Sequence, residues 1–144
     1  MSVITPAMQL CMDISQVQTN LVNSINGSLS CHGISFTELL VIYQLSLAPD
    51  ATLRRIELAS KVGLSASGVT RLLAPLEKIG LVQKEANARD ARVSLVKLTV
   101  TGQTLLADAL VTFENRAANA TANMTEKQLQ QSLQLLSVLL PRAN

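Results

Sequence analysis

The sequence predicts a mainly α-helical fold with one small β-hairpin, and three observations support this prediction. Apolar residues recur at steps of three and four over long segments, which is the periodicity of helices that bury one side. Hydrophobic residues make up 48% of the 144 residues but aromatic residues only 2%, so the apolar mass is aliphatic. Two short segments rich in Val and Leu flank a polar stretch, and this arrangement indicates paired strands.

The N-terminal part of the chain predicts one long amphipathic helix. Thr5 is placed to cap it, Pro6 is a favourable first helical residue, and Gly33 marks the position before which it ends. The apolar stripe of this helix consists of Leu10, Ile14, Val17, Leu21, Ile25 and Leu29.

Two further amphipathic helices occupy the C-terminal part. A fifth helix begins at Thr101, and a sixth follows the capping residue Thr125 and ends at Pro141. The chain carries more apolar surface than a small helical protein buries alone, so we expect a homodimer. We therefore assign residues 1–33 and 101–144 to a helical dimerisation region.

Three helices precede the hairpin in the central part of the chain. The second helix opens at Ser35 and stops before Pro49. A third helix spans about 55–62, Gly63 ends it, and a fourth spans about 65–79. The third and fourth helices are thus separated by a turn of only a few residues.

The spacing of Ala59, Gly63 and Val69 is typical of a helix-turn-helix. A small residue allows the next helix to pack closely, glycine permits the positive φ of the tight turn, and valine buries the second helix. Pro75 lies inside this second helix, where it removes the backbone bond to Arg71. We therefore predict a bend between Arg71 and Pro75.

A polar turn at 86–91 separates the two short apolar segments, 81–85 and 92–98, which predict the hairpin. A helix-turn-helix followed by a hairpin is a winged helix-turn-helix. The predicted fold is therefore a winged helix-turn-helix lobe over 34–100, with the N- and C-terminal helices forming the dimerisation region of a single intertwined domain.

Positive charge is concentrated in this lobe. From Arg54 to Lys97 there are nine basic and four acidic residues, nine minus four giving +5, whereas the first 53 residues hold no Lys or Arg and carry −3. Neutralisation of phosphates supplies much of the affinity for DNA, so the distribution favours double-stranded DNA as the partner. A solvated basic face without a partner stays open at this point.

A series of short motifs runs through the lobe and into the following helix: Glu57-Leu58-Ala59, Gly63-Leu64-Ser65, Val69-Thr70-Arg71-Leu72-Leu73, Leu76-Glu77-Lys78, Gly80-Leu81-Val82, Asp90-Ala91-Arg92, Leu98-Thr99 and Gly102. With these motifs the chain resembles the MarR family of transcriptional regulators, and the resemblance extends over nearly the whole chain. It implies a triangular homodimer, wings that reach the minor groove, a pseudo-palindromic operator, and release of DNA by a small molecule or an oxidant.

The candidate DNA-binding residues lie on the second helix of the helix-turn-helix and around it. This helix enters the major groove with its N-terminal residues nearest the bases. The resemblance further implies that Asp90 orients the wing residue Arg92. The full set of candidate DNA-binding residues is Arg54, Lys61, Ser65, Ser67, Gly68, Thr70, Arg71, Lys78, Arg89 and Arg92.

Two alternative functions remain open from the sequence. The first is a winged-helix module that binds another protein and no DNA. The second is a regulator that senses oxidants through Cys11, although Phe36 and Leu39 stand where the peroxide sensors of the family carry tyrosines. Without those tyrosines the sequence shows no donors that would activate the Cys11 thiol, which favours an ordinary buried cysteine.

No enzyme, metal or cofactor chemistry is indicated. One cysteine and one histidine, the Cys31-His32 pair, are too few for a metal site, and neither a phosphate-binding loop nor paired catalytic carboxylates are present. The apolar stretch from Leu39 to Leu47 is too short to cross a membrane, and no secretory signal is apparent. We expect a cytoplasmic protein.

Overall fold

The computed structural model describes residues 3–141, and the ends of the expected dimerisation region, 1–2 and 142–144, lie outside the described residues. The order of elements confirms the predicted fold class, a mainly helical chain with a small antiparallel sheet. The helices and strands are α1 (Pro6–Leu29), α2 (Phe36–Leu47), β1 (Thr52–Arg54), α3 (Arg55–Val62), α4 (Ala66–Lys78), β2 (Val82–Ala86), β3 (Ser94–Leu98), α5 (Val100–Ala120) and α6 (Glu126–Leu139).

Side-chain caps define most helix starts as the sequence predicts. The Thr5 hydroxyl accepts from the Met8 N–H at 3.2 Å. Capping boxes open α2 at Ser35 and α6 at Thr125. α5 starts one residue earlier than predicted, at Val100 rather than Thr101, because Thr99 caps it and the Thr99 hydroxyl accepts from the Gly102 N–H at 3.0 Å.

The sheet has three strands instead of the predicted two. β3 lies in the middle and pairs antiparallel with β2 on one side and with β1 on the other, in the order β1-β3-β2. β1 has only three residues, too few for an alternating pattern to show in the sequence. β3 begins at Ser94 rather than Arg92, because residues 90–93 belong to the turn of the wing.

The backbone that leads into β1 is strained. Asp50 and Ala51 both have positive φ, 55° and 52°, and neither is glycine. The Lys97 ammonium lies 3.5 Å from the Asp50 carboxylate, and the Thr52 hydroxyl donates to the Asp50 carbonyl at 2.8 Å. These contacts hold the segment where it can deliver β1 to the edge of β3.

One aliphatic core joins the lobe to α1 and α5. Its members come from every element except α6, which contributes no buried residue. The largest fully buried side chains are Leu29, Leu39, Ile42, Leu45, Leu58, Leu73, Leu76, Leu81 and Leu98. The core therefore holds the helix-turn-helix and the base of the wing in one unit. The apolar side chains of α6 do not pack into this core.

α4 continues through Pro75 as a single helix from Ala66 to Lys78. The proline does not break it, and its ring lies on the exposed side. A bend of the axis between Arg71 and Pro75 stays a prediction.

Candidate nucleic-acid interface

The turn between α3 and α4 has the geometry that the spacing of small residues predicts. Gly63 adopts φ 71°, and the Leu64 N–H donates to the Ala59 carbonyl at 3.0 Å. Ala59 is 6% exposed and Val69 is fully buried, so the two helices are in close contact. The side of α4 away from Val69 faces solvent along its first turns.

Ser65 is the N-cap of α4. Its hydroxyl accepts from the Gly68 N–H at 3.0 Å and lies 3.2 Å from the Ser67 hydroxyl. A Cβ on Gly68 would approach the Ser65 oxygen to 3.1 Å, so glycine keeps the cap uncrowded. Of the two predicted serine contacts, Ser65 is therefore already used in capping, and Ser67 is the freer hydroxyl.

Thr70 is joined to a residue that the sequence prediction missed. The Arg55 guanidinium donates through Nη1 to the Thr70 hydroxyl at 3.0 Å and through Nε to the Ser94 hydroxyl at 2.9 Å. The Thr70 hydroxyl in turn donates to the Ala66 carbonyl at 3.1 Å. Arg55 lies 15 residues from Thr70 and 39 from Ser94, so no local pattern reveals the link.

The remaining basic candidates of the helix-turn-helix are exposed. Arg71 lies on the open side of α4, and Lys61 and Lys78 lie in the last turns of α3 and α4. Within residues 3–141, no carboxylate oxygen lies within 4.0 Å of any of these three side chains, whereas Arg54 is 3.9 Å from Glu57. Three cations without an ion-pair partner among the described residues thus lie on α4 and at the end of α3.

At the tip of the wing, Asp90 holds Arg92. The Asp90 carboxylate accepts from the Arg92 backbone N–H at 3.0 Å and from Nε at 3.2 Å. The first of these bonds, then the second, and more weakly the charge of Arg54, hold the pKa of Asp90 below its usual value. Asn87 makes a similar turn by accepting from the Arg89 N–H at 2.8 Å. The orienting role implied for Asp90 therefore matches its contacts.

The wing is also connected to α4 on its other strand. The Lys84 ammonium of β2 lies 3.9 Å from the Glu77 carboxylate of α4. Together with Arg55, this contact links α4 to both strands of the hairpin.

The cysteines and the histidine do not form a site in the described residues. Cys11 is exposed rather than buried in the protomer, in contrast to the expected buried cysteine. Cys31 donates to the Ser28 carbonyl at 3.4 Å, and the His32 ring is 2.7 Å from the Thr112 hydroxyl. Across residues 3–141, no three metal-binding side chains are grouped, and no helix is long and apolar enough to span a membrane.

Comparison with known proteins finds a matching family model and relatives among curated proteins. A family model described as "MarR family" matches residues 34–94, the helix-turn-helix and most of the wing. The Transcriptional repressor MprA of Escherichia coli (strain K12) is 28% identical over 102 residues, which are 71% of this chain and 56% of MprA. The HTH-type transcriptional regulator PapX of Escherichia coli is 27% identical over 66% of this chain and 56% of PapX. The chain thus spans about half the length of the curated relatives it matches.

Solved structures share the fold over almost the full chain. A mutant of MarR from Escherichia coli complexed with operator DNA has a TM-score of 0.87 at 24% identity, covering 98% of this chain and 100% of that one. Sco3205 of Streptomyces coelicolor in complex with DNA, a MarR family transcriptional regulator, has a TM-score of 0.84 at 23% identity, covering 96% and 88%. Residues 34–94 thus match the MarR family model, and the described chain shares the fold of these solved structures over nearly its whole length.

Proposed function

We propose that this chain is a sequence-specific regulator of transcription, not an enzyme, that binds double-stranded DNA as a homodimer and acts as a repressor. The observation that carries the proposal is the state of Arg92. Its side chain is 92% exposed, yet Asp90 fixes it through Nε alone, so both terminal nitrogens are left for an acceptor. An oriented and exposed arginine at a hairpin tip is suited to the minor groove.

α4 supplies the second contact, in the major groove. Its first turns carry small residues that allow close approach, and Ser67 and Arg71 have hydrogen-bonding groups available for a base. Arginine recognises guanine through two parallel hydrogen bonds. Arg71 is therefore the residue that we expect to contribute most to base recognition, and Thr70 and Gly68 shape the surface around it.

Phosphate contacts would position these two elements. Lys61 and Lys78 are exposed cations at the ends of α3 and α4, and Arg54 and Arg89 flank the wing. Such contacts add affinity without sequence information. The candidate residues therefore fall into two groups, those that contact bases and those that contact the phosphates of the DNA backbone.

The homodimer follows from apolar surface that the protomer leaves uncovered. α6 has no buried residue, and a groove of about 490 Å³ between α1 and α6 is lined almost entirely by aliphatic side chains. We propose residues 1–33 and 101–144 as the dimerisation region and 34–100 as the DNA-binding lobe. The exposed aliphatic residues of this region include Leu10, Ile14, Val17, Leu21, Leu133, Leu135, Leu136, Val138, Leu139 and Leu140.

In such a dimer the two copies of α4 would meet successive major grooves about one helical turn apart, ~34 Å, on a pseudo-palindromic site. The location that fits this partner is the cytoplasm. Release of the DNA by a small molecule rests on the resemblance to the family, and no ligand-binding residues are assigned to it.

The test is selection of bound DNA from a randomised duplex pool, with affinity followed against salt. We expect a two-fold symmetric site and a steep fall in affinity as salt rises. No binding to any duplex at low salt would overturn the proposal and favour the protein-interaction module. Loss of binding on peroxide treatment, cancelled by Cys11→Ser, would assign release to oxidation.

A further inference from the structure

Arg55 joins the two elements that face DNA. It is the first residue of α3 and is partly buried, and its guanidinium reaches Thr70 of α4 and Ser94 of β3 at the same time. The planar fork of arginine offers donors in fixed directions, which suits two acceptors on different elements. A lysine presents one flexible ammonium and would not hold both hydroxyls in the same way.

The contact decides what the Thr70 hydroxyl can offer to a base. A hydroxyl has one proton, and that of Thr70 goes to the Ala66 carbonyl. Arg55 occupies one of its two lone pairs. Thr70 is therefore left with one lone pair and a methyl group, which can meet a base amino group or a thymine methyl but cannot donate to a base acceptor.

The partners of Arg55 leave its charge uncompensated. Both are neutral hydroxyls, and within residues 3–141 no carboxylate oxygen lies within 4.0 Å of its guanidinium. Arg54, Arg55 and Arg92 line one cleft of about 290 Å³ between the start of α3 and the wing. The side chain is thus fixed without being neutralised, and a DNA phosphate can still use its charge.

We propose that Arg55 is a positioning residue that determines specificity: it sets the wing relative to α4 and restricts the base read at Thr70. This inference rests on the proposed function, since it concerns how DNA is read. Removal of the Arg55 contact leaves the Ala66 carbonyl as the only one of these two partners on the Thr70 hydroxyl, so the hydroxyl can rotate and present its proton to a base acceptor. The protein should then accept more bases at one position in each half of the DNA site.

The experiment compares duplex pools selected by wild type, Arg55→Lys, Arg55→Gln, Thr70→Val and the double variant Arg55→Lys/Thr70→Val. Arg55→Lys should keep the salt dependence, lower affinity for the wild-type site about tenfold, as for loss of one hydrogen bond, and accept more bases at one position. Arg55→Gln should also reduce the salt slope, the slope of log affinity against log salt concentration, by about one unit. The double variant should select the same bases at that position as Thr70→Val alone.

Arg54→Gln is the matched control because it removes a neighbouring charge without touching Thr70. It should reduce the salt slope and leave the selected sequence as it is. Circular dichroism and thermal unfolding of each variant check that the fold is kept.

Two outcomes would overturn the inference alone: Arg55→Lys selecting the wild-type sequence, or Arg54→Gln relaxing the same position as Arg55→Gln. Failure of the wild type to bind any duplex would overturn the proposed function together with it.

Discussion

The Cα of Gly102, in the first turn of α5, packs directly against the carbonyl oxygen of Leu81, where the wing begins. A Cβ at Gly102 would overlap that oxygen and would come within 2.5 Å of Cδ1 of Leu98. The Thr99 N–H donates to the same Leu81 carbonyl at 3.0 Å, and the Thr99 hydroxyl donates to the neighbouring Gly80 carbonyl at 2.6 Å. This junction between α5 and the wing therefore has no space for a side chain.

Gly102→Ala should destabilise the protein by about 1–3 kcal/mol, because overpacking outweighs the better helix propensity of alanine. Gly27→Ala is the control, since Gly27 also lies in a helix but nothing is within 4 Å of an added Cβ. That variant should gain about 0.5–1 kcal/mol. Urea unfolding measures both, and equal stabilisation by the two alanines would contradict the packing at Gly102.

Arg71→Ala should weaken binding to the selected operator by about 1–3 kcal/mol and relax the preference at one base position. Lys78→Ala, at the other end of α4, should weaken binding to all sequences alike and lower the salt slope by about one unit. Fluorescence anisotropy on matched and mismatched duplexes separates the two effects. Arg71→Ala with unchanged operator affinity would remove this residue from base recognition.

Asp90→Asn should change operator affinity in two opposite ways, through the charge next to the DNA and through the orientation of Arg92. The substitution removes a negative charge next to DNA, which by itself strengthens binding. It also weakens the bond that orients Arg92, and we expect this loss to dominate because Arg92 is otherwise almost wholly exposed. Operator affinity should fall although net charge rises, and an increase in affinity would show that orientation by Asp90 does not matter.

The pH dependence of the wing follows from the same carboxylate. The pKa of Asp90 is lowered in the folded chain by its bonds to Arg92, so its contribution to stability is present above the ordinary aspartate pKa of 3.8. The contribution is lost as pH falls through the lower, folded-state pKa. An NMR titration of the Asp90 carboxyl and the Arg92 amide should show them changing together below pH 3.8, and a change near neutral pH would contradict this assignment.

Leu135→Asp should convert the dimer to monomers, because Leu135 is 71% exposed in the protomer and lines the groove between α1 and α6. Ile79→Asp places the same charge on an exposed apolar residue, 55% exposed, at the end of α4. Sedimentation equilibrium should show a monomer for the first variant and a dimer for the second. A dimer in both cases would place the interface elsewhere.

The helices were predictable because their signals are local. The apolar stripe of α1, the caps at Ser35 and Thr125 and the glycine turn at Gly63 all depend on residues within one or two turns of each other. β1 was not predictable, since three residues carry no periodicity and its position depends on a partner more than 40 residues away.

The candidate site divides along the same line. Asp90 and Arg92 are two residues apart, so the motif contained their contact. The contacts of Arg55 span 15 and 39 residues. The sequence therefore indicated Thr70 as a DNA-binding residue but gave no sign of the arginine that binds its hydroxyl. Spacing shows which residues share a helix face, but not which distant side chain occupies their hydrogen bonds.

The central place of β3 in the sheet has a consequence for regulation. β3 pairs with β2 to make the wing and with β1, whose chain passes directly into α3, and α3 packs on α4. The wing is therefore not a hairpin that swings on a free hinge, since its inner strand is bonded to the same element that starts the helix-turn-helix. In the proposed dimer, a signal that weakens DNA binding would therefore move each lobe as a rigid body relative to the other lobe, and the angle between α4 and the wing within one protomer would stay the same.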